Sequence, residues 1–148
     1  ENILRNFDPD YWVKQHTTSA WNEWAGHAFE NICLKHTFNI KKKLGISGIT
    51  TIESHWQYFP SSKEDKGAEI DLVIDRADSC INLCEMKFSK DLFTIDKEYA
   101  QNLENKRAVF QEQTKTKKTL FTTLVTTFGL KKNGYFSNFS EVTLDDLF

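Results

Sequence analysis

Two stretches, Gly67-Ala68-Glu69-Ile70-Asp71-Leu72-Val73-Ile74 and Ile81-Asn82-Leu83-Cys84-Glu85-Met86-Lys87-Phe88, carry charge inside otherwise apolar, strand-forming sequence. Each is bounded by turn-prone residues, so they read as neighbouring strands joined across Arg76 to Cys80. A turn centred near Asp78 sets Asp71 opposite Glu85 and Glu69 opposite Lys87, and the two-residue period then points all four to one face. The other face is Ile70, Leu72 and Ile74 with Cys84, Met86 and Phe88, as a sheet covered by helices requires. Charge on such strands costs free energy unless it is paired or binds something.

The flanking sequence supplies the covering layers. Trp21, Ala25, Ala28, Phe29, Ile32 and His36 recur at helical spacing behind the capping candidates Thr17, Thr18 and Ser19, which predicts a helix to about Lys43, stopped by Gly45 and Gly48. Ile49 to Phe59 reads as a strand. Thr94 or Asp96 can cap a second helix ending near Gln113, with Tyr99, Leu103, Lys106 and Phe110 on one face. Leu120 to Thr127 reads as another strand, Tyr135 to Phe139 extends the sheet, and Thr143 precedes a final helical turn. The expected fold class is α/β, a central mixed β-sheet flanked by helices in the order α-β-β-β-α-β. Ile3 to Gln15, with the aromatics Tyr11 and Trp12, reads as a connector, so residues 1–18 are a linker or N-terminal extension and 19–148 the domain.

A chain of 148 residues can bury about 68 to 70% of its unfolded surface, enough for a core without disulfides. The three cysteines, Cys33, Cys80 and Cys84, lack a framework spacing, which favours a reducing, cytoplasmic setting. As zinc ligands with His36 their spacing is poor, and core packing fits Cys33 and Cys84 better. No run approaches the ~20 apolar residues of a membrane span. Net charge is −2, but Gln101 to Tyr135 carries seven cations against two acids, net +5, leaving −7 elsewhere. Tyr99, Lys106, Lys131 and Lys132 are the candidate nucleic-acid contacts within or beside that segment, the competing reading being a core tyrosine and solvated lysines. No nucleophile elbow and no Gly-x-x-x-x-Gly-Lys-Ser/Thr loop is present, so ATP binding is not expected here.

Phosphodiester cleavage needs an activated water and a stabilised leaving oxygen, and a divalent metal serves both. Magnesium takes one or two protein carboxylates and keeps several waters, so facing Asp71 and Glu85 suffice, with the Met86 carbonyl as a further donor. Lys87, two residues from Glu85, is placed to stabilise charge developing on phosphorus. Glu69 stays open between an extra ligand and a neutralising partner for Lys87.

Asp71, thirteen intervening residues and then Glu85-Met86-Lys87 resemble the PD-(D/E)XK nuclease superfamily, whose core of a helix, three strands, a helix and a strand matches the predicted order. Trp24-Ala25-Gly26-His27-Ala28-Phe29-Glu30-Asn31-Ile32-Cys33, Ile95-Asp96-Lys97-Glu98-Tyr99 and Leu144-Asp145-Asp146-Leu147-Phe148 look more narrowly like the C-terminal nuclease-like domain of predicted prokaryotic AAA-type ATPases. The resemblance implies a restriction-endonuclease-like core, magnesium or manganese at Asp71 and Glu85, catalysis by Glu30, Asp71, Glu85 and Lys87, DNA or RNA as substrate and an upstream P-loop ATPase. Ile70 stands where the superfamily often has proline. The alternative is an inactive nuclease-fold module that binds nucleic acid or protein.

Overall fold

In the computed structural model, which describes residues 19–148, a five-stranded mixed sheet separates two helical layers. The predicted extension, with the Tyr11–Trp12 anchor and the Thr17 and Thr18 caps, lies outside the described residues. In chain order the elements are α1 (Ser19–Lys35), α2 (Thr37–Lys43), β1 (Thr51–Tyr58), β2 (Ala68–Arg76), β3 (Cys80–Lys87), α3 (Lys97–Thr114), β4 (Thr119–Thr126), a 3-10 turn (Phe136–Asn138), β5 (Ser140–Thr143) and a closing 3-10 turn (Leu144–Leu147). The sheet order is β1-β2-β3-β4-β5, with the first three strands antiparallel and β4 and β5 parallel to β3. No helix among the described residues is long and apolar enough to cross a membrane.

Both faces of β2 and β3 are covered, which is why their sequences read as near-continuous apolar runs. On one face Phe29 and Cys33 of α1 and Ile40 of α2 pack on Leu72, Ile74, Cys84, Met86, Val125 and Val142, with Leu147 closing the cluster. On the other, Phe110 of α3 packs against Ile70, Val73, Ile81 and Leu83, and Leu103 against Leu124, Ile95 and Leu130. Asp96 caps α3 by accepting from the Tyr99 N–H at 2.7 Å, and Lys115 ends it in the left-handed region. All three cysteines are free thiols, two of them buried, so the packing reading holds.

Three sequence expectations need correction. The helix expected to reach Lys43 breaks at His36, whose N–H turns to the Cys33 carbonyl at 3.0 Å while its ring Nδ1 takes the Ile32 carbonyl at 2.8 Å. That side chain substitutes for the helical bond and lets α2 leave at a new angle to bury Ile40. The last strand is Ser140–Thr143 rather than Tyr135 to Phe139, because residues 136–138 form a 3-10 turn.

The third correction concerns the sheet face. Ser54 pairs with Val73 but Trp56 with Ile70, so Asp71 and Leu72 of β2 together stand against His55 of β1. This β-bulge shifts the alternation by one residue, and Ile70 joins the α3 side instead of sharing a face with Leu72 and Ile74. The four charges therefore do not share one face.

Ile74 is fully buried at the centre of the α1–α2 cluster. Ile74→Ala is expected to cost about 2–5 kcal/mol, read as a lower urea midpoint with unchanged slope. An unchanged midpoint contradicts this packing.

Candidate functional site

The β2–β3 pairing runs from Asp75↔Ile81 to Leu72↔Cys84, as the predicted turn at Asp78 requires, and stops there. Carried one step further it sets Asp71 against Glu85. At that step side chains replace ladder bonds: Met86 N–H donates to Asp71 Oδ2 at 2.9 Å, and Asp71 N–H points to Glu85 Oε2 at 3.4 Å. The strands part around two carboxylates, each accepting a backbone N–H of the facing strand.

The two acids open to different layers. Asp71 lines a groove of about 620 Å³ between α1 and the ends of β2 and β3, together with His27, Glu30, Met86, Lys87 and Phe88. Glu85 faces α3, where Lys106 Nζ bonds its Oε1 in a small recess walled by Ile70, Leu83 and Leu103. Its side chain is 5% exposed. Burial, then repulsion from Asp71, push its pKa up to about 7, with Lys106 opposing.

Glu30 projects into the groove from α1, one turn after His27. Its pKa is raised by partial burial first and then by Asp71 and Glu69, while His27 and His55 pull the other way. Glu69 lies 4.0 Å from His55 Nε2, not on Lys87. Lys87 is exposed at the groove, its ammonium 5.4 Å from the centroid of the Tyr99 ring. Tyr99 packs edge-on to Phe93, and burial followed by Glu85 and Asp71 raises its phenol pKa. It is thus both half-buried in the core and adjacent to the acids.

Glu30, Asp71 and Lys87 therefore meet in one groove, and Glu85 reaches Asp71 from the other layer. Lys131 and Lys132 are exposed on the segment after β4, beside the chain that follows β3: Lys131 N–H donates to the Phe93 carbonyl at 2.8 Å. The basic stretch is partly neutralised locally, since Arg107 pairs with Glu104 and Lys118 with Asp75 as Lys106 does with Glu85. Sequence reasoning assigned no role to His27 and His55 and left Lys106 between a phosphate contact and a solvated surface lysine. The three-residue spacing of His27 and Glu30 was a usable signal. His55 had none, because its Nδ1 meets the Asp71 carbonyl, at 3.4 Å, only through the bulge.

Among the described residues no group of three or more His, Cys, Asp or Glu side chains is arranged to hold a metal ion. Two neighbouring carboxylates are nevertheless a hard-oxygen donor pair of the kind magnesium accepts, leaving its other positions to water and substrate.

A family model described as archaea bacterial proteins of unknown function matches residues 3–107, a span containing Glu30, Asp71, Glu85, Lys87, Tyr99 and Lys106. Neither the comparison with curated proteins nor that with solved structures found a match.

The raised Glu85 carboxyl has a thermodynamic consequence in metal-free protein. Between the ordinary value of 4.5 and about 7 the native state keeps a proton that the unfolded chain has released, so stability falls as pH rises through that window. At about 1.4 kcal/mol per pH unit the loss is on the order of 3 kcal/mol. Glu85→Gln is expected to flatten this fall between about pH 5 and 8 in chemical denaturation. An equally steep fall in the variant contradicts the assignment.

Proposed function

The chain belongs to DUF234, a family of archaeal and bacterial proteins of unknown function, and for this member we propose a metal-dependent nuclease domain that hydrolyses phosphodiester bonds of DNA or RNA. The observation that carries the reading is the groove itself: Lys87 lines it together with Asp71 and Glu30, its ammonium over the Tyr99 ring, while Glu85 pairs with Lys106 and Glu69 lies beside His55. A lysine left facing a groove next to acids suits an anionic substrate held near a cation.

A magnesium or manganese ion bound at Asp71 and Glu85 supplies a Lewis acid and a more acidic water. The remaining roles belong to the chain. Asp71 is held at the groove by the Met86 N–H, so its carboxylate is oriented before any ligand arrives. Glu30, whose proton affinity is raised by burial and by Asp71, is suited to hold the attacking water and take its proton. Lys87 offsets charge developing on phosphorus, and the Tyr99 ring beneath it restrains its swing. Lys131 and Lys132, near the same end of the sheet, are placed to meet phosphates further along a strand. Attachment to an upstream ATPase and a cytoplasmic setting rest on the sequence resemblance and on the free thiols.

One observation favours a second reading, a nuclease-fold module that binds nucleic acid or protein without cutting it. Glu85 already has a counter-ion in Lys106, and two carboxylates are the lean end of a metal site. Cleavage of single- and double-stranded DNA and RNA with magnesium or manganese separates the two. Wild-type protein is expected to cut, and Asp71→Ala and Lys87→Ala to lower the rate by about 10²-fold or more, Lys87→Ala at unchanged melting temperature and Asp71→Ala at a lower one, because the Met86 N–H loses its acceptor. Equal, background-level cleavage by all three, with nucleic-acid or protein binding retained, sinks the nuclease reading in favour of the module.

A further inference from the structure

Resting on the nuclease reading, we infer that Lys106 is the positioning residue that presents Glu85 to the cation site. Glu85 lies in β3 with its side chain in an apolar recess, and a glutamate there has three rotatable bonds to fix. Lys106 fixes them from α3: its ammonium bonds Oε1, which leaves Oε2 turned to Asp71, 3.4 Å from that residue's N–H. The ammonium approaches from the helix layer, whereas Asp71 opens into the groove on the α1 side. Lys106 therefore holds the far oxygen and does not fill the groove. Lys87, although only two residues from Glu85, does not take this place: its ammonium lies over the Tyr99 ring, and the ion pair to Glu85 is made by Lys106.

The two lysines thus have separate tasks. Lys87 faces substrate, and Lys106 sets the rotamer of the acid. Tyr99 and Lys106 are two turns apart on one face of α3, so a single helix face supports both members of the Glu85–Lys87 pair. Removing an outer partner of a metal-binding carboxylate typically weakens metal affinity by about 10–100-fold.

The test is calorimetric titration of manganese into metal-free wild-type protein and the Lys106→Gln, Lys106→Arg and Asp71→Asn variants, with thermal melts in parallel. Lys106→Gln is expected to weaken manganese binding about tenfold, with Lys106→Arg between it and wild type, because a charged donor holds Oε1 more strongly than a neutral amide. Weakening by less than roughly threefold, or any tightening, overturns the inference and marks Lys106 as a counter-charge or competitor. If Asp71→Asn binds manganese like wild type, the cation site itself is wrong. Loss in Asp71→Asn but not in Lys106→Gln removes only the role of Lys106. Should Lys106→Gln fail to fold, nitrogen NMR of the wild-type lysine ammonium groups decides. The Lys106 signal is expected to stay hydrogen-bonded at saturating magnesium, and its release into free exchange overturns the inference.

Discussion

A carboxylate lies in a strand whose two faces are both covered by helices, and the local structure is arranged around the cost of keeping it there. Glu85 is more than nine-tenths removed from solvent, in a position where an unpaired charge is not tolerated. Lys106 meets it from one layer and the Asp71 backbone from the strand beside it, yet burial first and then repulsion from Asp71 still raise its proton affinity. Breaking such a pair by removing one partner is costly, because it leaves a buried charge uncompensated.

The second device is the bulge. Where Asp71 and Leu72 stand against His55, β2 gains a residue relative to β1, and the alternation of faces slips. Asp71 is thereby turned to the groove beneath α1, while Ile70 enters the α3 side. The β2–β3 ladder ends at the same place, and the Met86 N–H it frees goes to the Asp71 carboxylate. One irregularity orients an acid, opens the sheet and gives His55 a carbonyl to meet. Bulges re-aim side chains in this way at the ends of sheets.

Much of the scaffold was legible because its signals are local. The turn at Asp78, the Asp96 cap, the Leu103–Phe110 stripe and the final Thr143 turn each depend on a few neighbouring residues, and each formed where expected. The break at His36 did not read from sequence, since a histidine inside an apolar periodic run has no obvious reason to bond back to Ile32. Nor did the shifted face of Ile70, because a bulge requires knowing which residues of β1 oppose β2. Lys106 illustrates the same limit. Its helical face was predictable, but the acid it reaches is 21 residues earlier in the chain.

What the amino-acid order determined alone is the alternation of elements, the α/β class and the presence of Glu30, Asp71, Glu85 and Lys87 at positions able to converge. Periodicity and capping act over a few residues, so one dimension contains them. The tertiary structure decided which layer each charge faces, which lysine neutralises Glu85 and which remains at the groove. Those choices follow from strand register and helix placement, and both are settled by burying apolar surface from distant parts of the chain, a quantity no local window contains.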